Sequence, residues 1–321
     1  MKKLYVVLLF AAALLSSHSA FSQQQADTAD SIKSWLNFLA SDKMKGRANG
    51  SPEIEQVAEW LSAKYAQYGL HPADRLNGFA QSYTLYGDSS FIHKNILGYI
   101  PAKNQTDNDS AFIILSAHFD HIGMTRYPVD GDSIYNGADD NASGIVMLLA
   151  IAKNLYDRKA QPDCPIVFAS FSNEEKGLWG SWYFCKSGVI PVQKVKININ
   201  FEMLGHSEEF GKNRYYITGP GYSNFQDIVA DFNKERTCKL ANAGEVVNSL
   251  FQMADNYSFV ANISHVCIPA HTIATSLGFK HIHRVSDEVR YVDFENMSNL
   301  ADNLTQLVMH VADKAVAIKC K

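Results

Sequence analysis

Two seven-residue runs, A-F-I-I-L-S-A at 111–117 and P-I-V-F-A-S-F at 165–171, are almost wholly apolar. A strand with one wet face alternates apolar and polar residues, so a strand lacking that alternation is covered on both sides. Between the runs, I-V-M-L-L-A-I-A at 145–152 has the length and spacing of a helix with a buried face. A third run, V-K-I-N-I-N-F at 195–201, and a shorter one at 215–218 continue the series. Strands and helices that alternate in this way build an α/β fold, a layered sheet with helices on both faces.

The flanking pattern fits that architecture. The spacing predicts a short amphipathic helix over 31–39 and a second over 52–68, with Pro52 at its start and Gly69 just past its end. Residues 79–100 read as strands broken at 87–90, and 101–110 as a polar turn. Helices are expected over 143–156, 175–187 and 223–234, a late strand over 265–273, and a long closing helix over 297–318 through Leu300, Leu304, Leu307, Val308 and Val311. There is no internal repeat and no linker between two cores.

Residues 1–22 read as a secretory signal peptide: Lys2 and Lys3, an apolar stretch from 4 to 15, then small residues up to Ser22. The apolar stretch is short for a bilayer span. This gives a leader at 1–22, an N-terminal helical lead-in at 23–93 packed on the core, and the main domain at 94–321. Without Lys2 and Lys3, 27 basic residues face 33 acidic ones with no basic stripe, which argues against nucleic acid as a partner. After leader cleavage no membrane association is expected. The five cysteines are scattered without a C-x-x-C pair, so thiolate metal ligation has no support, and an odd count leaves at least one thiol unpaired.

In open α/β sheets ligands bind beyond the carboxyl ends of the strands. His118, Asp120 and His121 follow the first run; Glu174 and Glu175 follow the second; Glu202 follows the third; His281, His283 and Asp287 follow the last strand region. Asp139 and Asp140 lie in N-G-A-D-D-N-A-S-G at 136–144, a tight loop that ends at a helix start. Five segments thus end in imidazole or carboxylate groups. Such a donor set, without thiolates, suits catalytic rather than structural zinc. Several carboxylates can hold two ions that share one bridging group. Asp120 is placed to fix the tautomer of His118, and the Glu174–Glu175 pair offers one carboxylate as ligand and one as general base.

The ordered motifs A-H-F-D-H, N-G-A-D-D-N-A-S-G, N-E-E-K-G-L-W-G-S, N-F-E-M-L-G and the segment 283–287 resemble the zinc aminopeptidases of peptidase family M28. The resemblance spans about 94–310, and the lead-in around Leu39 to Asp42 and Gly46-Arg47 is similar to exported bacterial members. It implies a three-layer α/β/α fold with a mixed, largely parallel central sheet. It also implies two zinc ions, with His118 on one, Asp139 bridging both, Glu175 and His283 on the other, and Glu202 in the remaining ligand position. Glu174 would be the general base, Asp120 would orient His118, and Asp140 would fix the loop. The implied reaction is removal of N-terminal residues from peptides by a metal-activated water.

Two departures stand out. Many members carry Asp where this chain has Glu202, so the His118/Glu202 ion is expected to be held more weakly than its neighbour. Asn256 stands where His is frequent and is read as structural. Glutaminyl cyclisation on the same fold and a non-catalytic binding module are the competing readings.

Overall fold

The computed structural model describes residues 26–321 except 86, 105–110, 262–265 and 279; the leader therefore lies outside the described residues. The chain is helical from 26 to 39 (α1) and, after a short irregular turn, from Pro52 to Gln67 (α2). Ser51 caps α2 by accepting a hydrogen bond from the Ile54 amide, the role that short hydroxyl side chains serve at helix starts. Strands β1 (Ala80–Leu85) and β2 (Asp88–Ile100) form an antiparallel hairpin. Then come β3 (Phe112–His118), a small ribbon of β4 (Met124–Val129) and β5 (Asp132–Ile134), and α3 (Gly144–Asp157). The chain continues through β6 (Ile166–Phe171), α4 (Trp179–Ser187), β7 (Val195–Phe201) and β8 (Arg214–Ile217). It ends with α5 (Phe225–Phe232), β9 (Lys239–Leu240), α6 (Val246–Leu250), α7 (Asn256–Ala261), β10 (Ala270–Ala274) and α8 (Phe294–Ala312).

Eight strands join in the order β1-β2-β6-β3-β7-β10-β8-β9. The central strands β6, β3, β7 and β10 are parallel, and β2 and β8 flank them antiparallel. The result is the mixed, largely parallel sheet that the family resemblance implied, covered by helices on both faces as the apolar runs required. Alternate residues of one strand serve different layers. Ile113, Leu115, Ile166, Phe168, Ile197 and Ile199 pack with α1, α2, α3 and α8, whereas Ile114, Val167 and Ala169 pack with Phe184 of α4 and Phe259 of α7. Truncating a ring such as Phe168, which is fully buried, costs about 3–5 kcal/mol.

Three expectations are corrected. Residues 175–178 are a loop rather than the first turn of α4: Asn173, Gly177 and Leu178 have φ of 58°, 101° and 62°, which an α-helix cannot continue through. The closing helix stops at Ala312 because Asp313 turns to extended backbone. The 93/94 boundary falls inside β2, so the lead-in supplies part of the central sheet as well as two helices. The β4–β5 ribbon and the short helices α6 and α7 were not anticipated. Part of the expected late strand, 262–265, lies outside the described residues.

Candidate metal centre

Because β3, β6, β7 and β10 run parallel, their carboxyl ends meet at one edge. His118 is the last residue of β3, Glu202 follows β7 directly, and Glu174 and Glu175 follow β6 within four residues. The 138–143 turn enters this edge from the side. Gly137 sits at φ 57°, and a Cβ there would lie 2.3 Å from the Asp140 carbonyl oxygen and 2.6 Å from the His121 ring. Only glycine lets the two loops approach so closely.

Asp140, not Asp139, stands at the centre. Its Oδ1 is 3.4 Å from His118 Nε2, and its Oδ2 is 3.3 Å from His283 Nε2 and 3.8 Å from His121 Nδ1. Asp139 points the other way: its Oδ1 accepts hydrogen bonds from the Gly205 amide at 2.7 Å and Ser143 Oγ at 3.3 Å. Asp140 has extended backbone (φ −104°, ψ 97°), and adjacent side chains on such backbone diverge. Only one of the two carboxylates can therefore enter the cluster. The structure thus brings Asp140, expected to fix the loop, into both donor groups, and turns Asp139, expected to bridge, away from them. The spacing did hold a clue, since Ser143 lies four residues after Asp139, where a hydroxyl can hold a carboxylate at a helix start.

Around Asp140 the donors form two sets. In one, His118 Nε2 lies 3.4 Å from both Asp140 Oδ1 and Glu202 Oε1, with Glu174 Oε2 at 3.9 Å. In the other, Glu175 Oε1 lies 2.7 Å from His121 Nδ1 and its Oε2 lies 2.9 Å from His283 Nε2. Ligand atoms of His118, Asp140 and Glu202, and separately of His121, Asp140 and Glu175, fall within 4.8 Å of one another. His118 Nε2 is buried and has no hydrogen-bond partner, which is rare for a polar atom inside a protein. Tetrahedral zinc with bonds of about 2.0–2.1 Å sets its ligand atoms roughly 3.3 Å apart. The 3.3–3.4 Å separations around Asp140 match that spacing, so the residues fit the metal.

The supporting groups are placed as carefully. Asp120 Oδ1 and Oδ2 accept from the amides of Glu174 and Glu175, and its carbonyl, 3.2 Å away, rather than its more distant carboxylate, is the group next to His118 Nδ1. Asp287 accepts from the amides of Asp139 and Asp140 at 2.8 and 3.0 Å. Asn49 Nδ2 donates to Asp120 at 2.6 Å. Sequence reading gave no role to Asn49, nor to Asp287 beyond its motif, because their partners lie in distant loops: the Asp120 carboxylate and the Asn173 amide for Asn49, two backbone amides for Asp287. His121 belongs to the donor cluster through its bond to Glu175. Asn256 is structural: it donates to the Phe251 carbonyl and accepts from Thr272 Oγ1.

Burial pushes Glu174 well above the usual carboxylate range; His118 opposes this and Glu202 adds to it. Burial also raises Glu202, against its bond to His118. Glu175 ends at about 2, because hydrogen bonds from His121 and His283 overcome the burial penalty. Asp140 falls well below its ordinary value, since bonds to His118 and His283 likewise overcome burial. These are opposite responses to one environment, set by how many imidazoles each carboxylate touches.

A mixed sheet with an imidazole–carboxylate cluster at its carboxyl edge defines the α/β/α metallopeptidase class. The chain belongs to peptidase family M28, whose sequence profile matches residues 95–308. A "Probable zinc metalloprotease" of Pyrenophora teres f. teres is 25% identical over 56% of this chain, a match that spans only 39% of that relative's own length. The fold is similar to the Legionella pneumophila LapA aminopeptidase (TM-score 0.68, 17% identity, 92% of this chain and 75% of that one). It is also similar to Porphyromonas gingivalis glutaminyl cyclase (TM-score 0.66, 17% identity, 87% and 97%).

Proposed function

We propose that this chain is a zinc-dependent aminopeptidase that releases apolar residues from the N-termini of peptides. The observation that carries the reading is Asp140, which turns one oxygen toward each of two donor sets, beside Glu174, a carboxyl group that burial holds toward its neutral form. His118, Glu202 and Asp140 would hold one zinc ion, and Asp140, Glu175 and His283 the other, with His121 on the buried side. Zinc, when bound, acts as a Lewis acid toward the peptide carbonyl and makes water a better nucleophile. Glu174 accepts the proton from that water on its carboxylate and delivers it to the departing amine. Its burial suits it to hold the proton between those two events.

The substrate preference follows from a cavity of about 120 Å³ that opens beside these groups. Tyr216, Leu250, Met253, Ala254, Leu277 and Ile282 supply apolar walls. Two threonine hydroxyls also line it: Thr272 Oγ1 donates to Asn256 and accepts from Asn200, and Thr218 Oγ1 accepts from the Thr272 amide. A leucine or methionine side chain gains burial there. A glutamine carboxamide gains less from those apolar walls, which weighs against glutaminyl cyclisation despite the shared fold. We also place the chain outside the cytoplasm. The leader sequence and the Cys267–Cys320 disulfide, which leaves Cys164, Cys185 and Cys238 free, support this. Among the described residues no helix is long and apolar enough to cross a membrane.

The test is to assay zinc-loaded protein on Leu- and Gln-initiated peptides with free amino ends. Leucine release without ammonia release is the expected result; ammonia release with cyclisation would contradict the reading.

A further inference from the structure

Arg47 is completely buried, in the lead-in rather than in any of the ligand-bearing loops. Its guanidinium donates four hydrogen bonds, all to neutral main-chain carbonyls. Nε reaches Phe119 at 2.9 Å, Nη1 reaches Leu39 at 2.8 Å and Asn136 at 2.7 Å, and Nη2 reaches Gly137 at 2.9 Å. Phe119 lies between His118 and Asp120, and Asn136 and Gly137 lead into Asp140, so one side chain ties the two loops together. Among the described residues no carboxylate pairs with it directly. A buried cation without a counter-charge costs several kcal/mol, so compensation must come from farther away. The negative charges that favour its charged form are Asp287, Asp140, Asp120 and Glu175, all in or beside the donor cluster; burial outweighs them and leaves its pKa lowered to about 10.

We propose that Arg47 is the built-in counter-cation of the metal cage, holding the acidic loops together before zinc arrives and opposing zinc electrostatically once it binds. The inference rests on reading this cluster as a metal site, and not on which bond the protein cleaves. Its thermodynamic consequence is antagonism. A charge that stabilises the metal-free cage more than the loaded one must weaken metal binding, and metal must in turn reduce the protein's need for that charge. Two substitutions separate charge from geometry. Arg47→Gln keeps a planar pair of N–H donors and loses the charge, whereas Arg47→Lys keeps the charge and loses the four-bond fork.

The experiment compares zinc titration calorimetry and thermal melting, with and without chelator, for the native, Gln and Lys chains. The Gln chain should bind zinc at least about tenfold tighter than the native chain, a Coulomb effect of one nearby charge. Its zinc-induced rise in Tm should be larger by about 3 °C. The Lys chain should keep the native affinity. A Gln chain that folds only with zinc would support the proposal in its strongest form. Unchanged or weaker zinc binding by the Gln chain would overturn it, as would a Gln chain unfolded in both states while the Lys chain folds in both. Should neither variant fold, the chelated native chain decides: cooperative melting supports the counter-cation, and unfolding on chelation overturns it. A native chain that binds no zinc would instead refute the metal-site reading itself.

Discussion

The two halves of the metal centre share Asp140 and differ in almost everything else. On the Glu175 side one carboxylate is bonded by two imidazoles, His121 at 2.7 Å and His283 at 2.9 Å, and is held ionised. On the His118 side one imidazole serves three carboxylates, Asp140, Glu202 and Glu174, and both glutamates are driven toward their neutral forms by burial. One half is thus prepared as a ligand set, while the other must give up protons as it takes up metal. The half that is costly to ionise is also the half that holds Glu174, the proposed general base. A carboxyl group that readily keeps a proton makes a poor ligand and a good proton carrier.

The largest expected effect concerns that division of labour. Glu174→Gln should lower kcat by about 10²–10⁴-fold while metal analysis still finds two zinc ions; loss of an ion would make Glu174 a ligand instead. Next is the shared carboxylate. Asp140→Asn should lower affinity for both ions, by about 10–100-fold or more, whereas Asp139→Asn should keep two ions bound. Equal losses in the two variants would erase the distinction between these neighbours.

Mild chelation sharpens the comparison further. One ion should leave first, and buffer-dependent calorimetry should assign more proton release to its rebinding. Two ions leaving together would make the halves equivalent.

The smallest effect is on the stability of the metal-free protein. His283, raised to about 10 by its bonds to Asp140 and Glu175, contributes stability that is full below its unfolded value near 6.5 and is lost as pH climbs toward 10. Asp255, raised by burial from 3.8 to about 7, acts in the same direction between those values. Chelated protein should therefore melt a few degrees lower at pH 9 than at pH 6, and zinc should flatten the profile. A chelated Tm that rises with pH would contradict it.

The sheet was legible because the nearly all-apolar runs at 111–117 and 165–171 have the length and composition of strands covered on both faces. The edge where chemistry gathers was legible because β3, β6 and β7 are each followed by a donor at their end or within four residues. Adjacent residues were harder to separate. Asp139 and Asp140 have the same side chain, and only the extended backbone at Asp140, with the Gly205 amide waiting for Asp139, decides which of them turns inward. Arg47 and Asp287 were opaque for a related reason: they act on carbonyls and amides, which every residue carries and no motif displays. The partner of His121 was not legible, because Glu175 comes from another strand end.

Anomalous diffraction at the zinc edge from zinc-loaded crystals tests the central claim most directly. The geometry predicts two peaks, one on each side of Asp140, the first against His118 and Glu202 and the second against Glu175 and His283. A single peak, or peaks gathered around Asp139 with Asp140 uninvolved, would contradict it.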